Sequence, residues 1–210
     1  MLFQHFAMKL WIVPRLNKLQ FNIRPAFAII SAIAISVFPL KFLVAWIIAS
    51  VTHELFHILA ICVMKIGILR IILDGNGTII ETESMLPYQE LICALAGPFG
   101  GMLLMLFARA IPEAAICALI QSAFNLLPYY PLDGGRALHC LMVMLAGEGS
   151  ANRITAYINI ITLVLLLTVF FYLQLHYRFG VTPLFIILLL FLKSIKNNFA
   201  LQTAQSNSRI

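Results

Sequence analysis

Charged side chains are scarce in this chain. They make up 10% of its 210 residues, and only eight are acidic, where a globular domain is about 25% charged. So few charges cannot cover a water-soluble domain, and 62% of the chain is hydrophobic, with a mean hydropathy of +0.98. The composition predicts a polytopic membrane protein in which one membrane-embedded domain takes up nearly the whole chain. The lipid bilayer is therefore a partner. Nucleic acid is not: the formal net charge is +6, but the basic residues stand between apolar segments, where they orient helices. Cysteine is also sparse. Cys62, Cys93, Cys117 and Cys140 form no C-x-x-C pair and lie in or beside apolar stretches, as small buried residues do, which argues against disulfides and against a thiolate metal site. The absence of an internal repeat counts against a transporter built on duplicated halves. No cleavable signal peptide is evident either. The first long apolar run begins at Ala26, behind Lys9, Arg15, Lys18 and Arg24, and reads as a retained signal anchor.

Six apolar spans can be drawn, at roughly 26–40, 42–64, 88–108, 114–131, 154–173 and 181–192; the first and last are short for a bilayer. Residues 1–25 form a basic segment that reads equally well as an interfacial helix or an ordinary flank. Residues 26–193 form the membrane domain, and 194–210 a short tail. With both termini in the cytosol, eleven of the fourteen Lys and Arg residues fall inside; Lys41, Arg109 and Arg178 fall outside. That asymmetry is the one positive charge imposes on membrane proteins. The predicted fold is all-α, with about six transmembrane helices and one β-hairpin. The hairpin is read from residues 66–83, where short β-prone runs flank Asp74-Gly75-Asn76-Gly77. It is either a connector or a strand edge that aligns an extended peptide by β-addition.

Inside the second span stands His53-Glu54-Leu55-Phe56-His57. In a helix the two histidines lie one turn apart on the same face, a spacing that lets them hold one zinc ion. Glu54 lies beside the first of them and can serve as a general base toward water. A second interruption runs from Asn125 to Arg136, where two prolines and two glycines break the fourth span. Broken backbone at membrane depth is tolerated where it is buried in protein or lines a cavity. Of the eight acids, only Asp133 sits in such a segment. Its carboxylate would complete a His₂-carboxylate set and leave one position open. Glu81 is the alternative, downstream of the second histidine as in a soluble zincin. Electrostatics favours Asp133. An isolated charge at mid-bilayer costs roughly 2.5–3.5 kcal/mol, whereas Zn²⁺, two neutral imidazoles and the carboxylates of Glu54 and Asp133 sum to zero. His5 and His176 lie in flanking regions, and His139 ranks well behind Asp133 as a ligand. Gly97 and Gly101 form G-x-x-x-G around Pro98 in the third span, a pattern that permits close helix packing.

His53–His57 together with Asn125-Leu126-Leu127-Pro128-Tyr129-Tyr130-Pro131-Leu132-Asp133-Gly134-Gly135-Arg136 resembles the site-2 protease family of intramembrane zinc metalloproteases. The resemblance covers about Phe42 to Arg136. It implies one zinc ion per chain bound by His53, His57 and Asp133, with Glu54 as base. It also implies that Asn125 and Pro131 position substrate. The compact layout looks like the sporulation-type bacterial branch, whose members cleave a membrane-associated sigma-factor precursor. The implied partner is then a membrane-associated or single-span protein substrate in a bacterial cell membrane, with room for a regulatory partner in the membrane. No PDZ-sized insertion separates the third and fourth spans, and only residues 194–210 follow the last one, so the C-terminal CBS domain of that branch is not expected here. Where the family's G-P motif often continues to an asparagine, this chain has Gly100 and Gly101. The residues alone leave two other classes open. One is a metal or proton transporter, which also places His, Glu and Asp at membrane depth. The other is a non-catalytic membrane scaffold.

Overall fold

The computed structural model describes residues 20–75 and 77–177. The predicted sixth span, the tail and most of the N-terminal segment lie outside the described residues. The chain forms two compact units that divide between Asn125 and Leu126.

The first unit contains β1 (Gln20–Ile23), α1 (Pro25–Val37), α2 (Leu40–Val63), β2 (Ile68–Asp74), β3 (Gly77–Thr82), α3 (Pro87–Leu103, extended by a 3₁₀ turn at Leu104–Phe107) and α4 (Pro112–Asn125). Three of its helices begin on proline, whose fixed φ suits the first turn and whose missing N–H costs nothing there. α2, α3 and α4 pack on one another through small residues. The buried stripe of α2 is Ala45, Ala49, His53, His57 and Ile61, one residue in every four. The α3 stripe is Cys93, Ala94, Gly97, Pro98, Gly100 and Gly101; that of α4 is Ala114, Ala115, Ala118 and Ser122. Small side chains let the backbones approach closely, which is how helices associate where lipid removes the hydrophobic driving force. The large apolar residues of α2, such as Phe42, Trp46, Leu55 and Leu59, point outward, the reverse of a water-soluble bundle.

Three helical segments among the described residues are long and apolar enough to cross a membrane: Leu40–Val63, Pro87–Phe107 and Glu148–His176. α1 is apolar but has only 13 residues. The composition and these helices make the chain an integral membrane protein. The predicted span at 114–131 ends early, at Asn125, because Pro128 and Pro131 follow within two turns and proline cannot continue the backbone ladder.

The predicted hairpin is present, with an addition. β2 and β3 pair antiparallel, Ile71 opposite Ile80, and β1 joins β2 in parallel, Phe21 opposite Ile71. The end of the N-terminal basic segment is thus a strand, not part of an interfacial helix. The sheet order β1-β2-β3 puts β2 in the middle. The Arg24 N–H donates to the Leu73 carbonyl at 2.9 Å, and its guanidinium pairs with Asp74 at 3.0 Å, fastening β1 to β2. The Glu83 N–H donates to the Gly67 carbonyl at 3.0 Å. Because backbone groups alternate along an antiparallel strand, the N–H groups of Thr78, Ile80 and Thr82 point away from β2, toward the edge of β3 that is open among the described residues.

The second unit contains α5 (Asp133–Ala146) and α6 (Glu148–Tyr177), which pack on each other. Residues 133–146, between the fourth and fifth predicted spans, form a helix. The turn between α5 and α6 is Gly147 at φ 76°, a left-handed conformation open mainly to glycine.

Candidate metal centre

In the first unit the two histidines of α2 are buried, at 3% and 9% exposure. The Nε2 atoms of His53 and His57 lie 3.1 Å apart. Two nitrogens bound to a tetrahedral zinc ion at about 2.0–2.1 Å would be about 3.3 Å apart, so the pair is set for a shared ion. The tautomer of His57 follows from its other nitrogen. Nδ1 lies 2.7 Å from the carbonyl oxygen of Cys93, which can only accept. Nδ1 therefore carries the proton, and Nε2 presents its lone pair toward His53. A ligating histidine is usually held by such a bond through its second nitrogen. The residues present thus fit a zinc ion.

α3 shapes the back of this pair. A Cβ on Gly97 would lie 2.8 Å from His53 Nε2, 2.6 Å from His57 Cε1 and closer still to His57 Nε2. Only glycine leaves room for the imidazoles there. On Gly100 a Cβ would strike the ring of Phe56, and on Gly101 the hydroxyl of Ser122. The predicted close packing of the G-x-x-x-G segment is therefore real, but its target at Gly97 is the candidate metal-binding pair itself. The spacing signalled a close approach and carried no information on what was approached. The Cys93 carbonyl escaped the sequence reading altogether, because a backbone acceptor leaves no trace in residue type.

Glu54 follows His53 on α2 and is half-buried. Asn125, the last residue of α4, places Nδ2 at 3.3 Å from His53 Nε2, so this side chain touches the histidine pair. Glu81, the alternative ligand, sits on β3 opposite Arg70 and pairs with it at 3.6 Å.

In the second unit Asp133 opens α5 and is buried, at 8% exposure. The helix N-terminus favours its negative charge, and Arg136 Nη1 lies 4.0 Å from its Oδ1. The preceding loop is held tightly. Tyr129 is 1% exposed, and the Tyr130–Pro131 peptide is cis. A Cβ on Gly134 would lie 2.7 Å from the Leu127 carbonyl, and one on Gly135 2.5 Å from that of Tyr129. The two glycines thus let α5 begin directly against the loop. Pro131 is half-buried within it. His139 is engaged elsewhere: its Nε2 lies 2.9 Å from Asn152 Oδ1 on α6.

No family model matches the chain. A Synechocystis protein provisionally named as a zinc metalloprotease is 30% identical over 122 residues, a match covering 50% of this chain and 32% of that protein. The chain thus spans about a third of the length of this curated relative. The solved site-2 protease of Methanocaldococcus jannaschii superposes with a TM-score of 0.57 at 22% identity, covering 81% of this chain and 88% of that one. The chain thus shares the fold of that solved protease.

Proposed function

We propose that this protein is an intramembrane zinc endopeptidase that cleaves a membrane-associated or single-span protein substrate within or near the bilayer. One observation carries the reading: the Nε2 atoms of His53 and His57 converge to 3.1 Å on a helix apolar enough to cross a membrane. We assign Asp133 as the third ligand, because it is a buried carboxylate in the broken segment that resembles the second motif of site-2 proteases, and a carboxylate completes a His₂-carboxylate set with one position open. Zinc, when bound, supplies a Lewis acid that polarises the scissile carbonyl and acidifies a water. Glu54 takes the proton of the attacking water and passes it to the leaving amine. Asn125 and Pro131 position the substrate backbone. The substrate helix unwinds first, because its own hydrogen bonds shield the scissile carbonyl. An unwound segment is extended and can add to the open edge of β3, whose outward N–H groups supply donors. The charge asymmetry supports cytosolic termini, and the compact motif layout supports a bacterial sigma-factor precursor or another transcription regulator as substrate.

The test is Glu54→Gln. Glutamine keeps the shape and leaves the ligands in place, so zinc content should persist while cleavage of a membrane-tethered substrate falls about 10²–10⁴-fold. Near-normal cleavage at full zinc occupancy would remove Glu54 from the mechanism. Quantitative membrane proteomics on the same variant should reveal the substrate as a precursor that accumulates uncut.

A further inference from the structure

α6 is a 30-residue helix, apolar enough to cross a membrane. It nevertheless carries Asn152, Thr155, Asn159 and Thr162. Their spacing of three, four and three residues puts all four on one face. Polar side chains in a membrane helix are costly unless they find partners in the protein. Three of these partners are defined. The Tyr130 N–H donates to Asn159 Oδ1 at 2.8 Å. Thr162 Oγ1 donates to the Pro128 carbonyl at 3.3 Å. Asn152 Oδ1 accepts from His139 Nε2 at 2.9 Å.

The partners lie on both flanks of Asp133. Pro128 and Tyr130 belong to the loop before it, and His139 to the helix after it. The circuit closes through Tyr130 and His139, whose rings meet edge to face at 6.2 Å between centroids. Tyr130 is thus held by its backbone and by its ring. Its N–H cannot join the α5 ladder, which begins three residues later, and the adjoining Tyr129 is buried, so the amide needs an acceptor supplied from elsewhere. Asn159 supplies it from a rigid helix.

We propose that Asn159 is a positioning residue. By holding the Tyr130 amide it fixes where the loop hands over to α5, and hence the direction in which the Asp133 carboxylate leaves the backbone. This inference rests on the assignment of Asp133 as a zinc ligand.

The test compares Asn159→Leu, similar in size but without an acceptor, with Asn159→Asp, which keeps an acceptor oxygen. The readouts are zinc affinity by competition with a chelator, the visible spectrum of the cobalt-substituted protein, and thermal stability. Loss of an outer partner of a metal ligand typically weakens binding 10–100-fold. Asn159→Leu should therefore weaken zinc at least tenfold and alter the cobalt spectrum, and Asn159→Asp should restore both to near wild type. A purely structural role would lower stability while leaving affinity and spectrum unchanged in the folded fraction; that result overturns the proposal. If Asn159→Leu cannot be recovered folded, Asn159→Ser decides: its hydroxyl is too short to reach, so unchanged zinc affinity overturns the proposal and weakened affinity supports it. Asp133→Ala run alongside separates the two levels. Unchanged zinc in Asp133→Ala defeats the ligand assignment and this inference with it. Lost zinc in Asp133→Ala with full zinc in Asn159→Leu defeats the positioning role alone.

Discussion

His57 Nδ1 and the Cys93 carbonyl oxygen, 36 residues apart in sequence, meet at 2.7 Å. The contact joins α2 to α3 and sets the tautomer of the imidazole. The acceptor is backbone, so the Cys93 side chain is not what holds His57. We expect Cys93→Ala to keep full zinc content in purified protein, measured by elemental analysis. Zinc lost from a folded Cys93→Ala variant would show that the thiol takes part.

Gly97 and Gly100 give a matched pair of overpacking tests. Alanine at Gly97 meets the histidine rings; alanine at Gly100 meets Phe56. Both should destabilise the bundle by about 1–3 kcal/mol. Only Gly97→Ala should weaken zinc, by about tenfold or more, in chelator competition. Equal zinc affinity in the two variants would mean the imidazoles can move aside without losing their geometry.

The sheet register sharpens the question of substrate alignment. Ile71 lies on the central strand, and the Ile79 N–H faces β2, so proline at either position breaks the sheet. The Ile80 N–H faces the open edge. Ile80→Pro should therefore spare the ladder and impair cleavage more than zinc binding, because proline removes an edge donor there, at the cost of some packing against the core of Ile61, Ile66, Ile68 and Cys93. Unimpaired cleavage in Ile80→Pro would leave β3 as a connector.

Lys41 and Glu113 form an ion pair, which places the starts of α2 and α4 at one level. The Glu113 carboxyl is held below its ordinary value, first by the hydrogen bond from Lys41 and then by its own backbone amide. A lowered folded-state value adds stability above the ordinary carboxylate value, near 4.3, and that stability is lost as pH falls through the lowered one. The stability gap between wild type and Glu113→Gln should therefore close on acidification through that window. The effect should be small, because the pair is exposed to solvent. Reporter fusions at Lys41 and at Glu113 should lie on the same side of the membrane, opposite to one after Gly67. Fusions at the two residues reporting opposite sides would contradict the ion pair.

The helices and the histidine motif were legible because each writes a local signature: apolar runs for length, and a spacing of four for a shared face. Asp133 was singled out for a different reason, since a carboxylate in a broken apolar span demands a purpose, whereas Asn125 was singled out only through the resemblance of its motif to the site-2 protease family. The third strand was not legible. Gln20–Ile23 is four exposed residues with no alternation to mark them, and parallel pairing across about 50 intervening residues leaves no turn to read. α5 was missed because its opening Asp-Gly-Gly reads as a turn, and only the loop packed against those glycines makes it a helix start. The polar face of Asn152, Thr155, Asn159 and Thr162 was passed over because spacing along a helix does not say what the face touches.

The buried stripe of α2 repeats every fourth residue from Ala45 to Ile61, so alanines and histidines share one phase of the helix. That phase is fragile in a way hydropathy does not register. One residue inserted between Ala49 and His53 would preserve the helix, its apolar character and its reach across a bilayer. It would turn both imidazoles by about 100° relative to the alanines, out of the seam and toward lipid. Length variation within this span is thus barred by angle rather than by thickness, while the outward-facing positions of the same helix stay free to exchange one apolar residue for another.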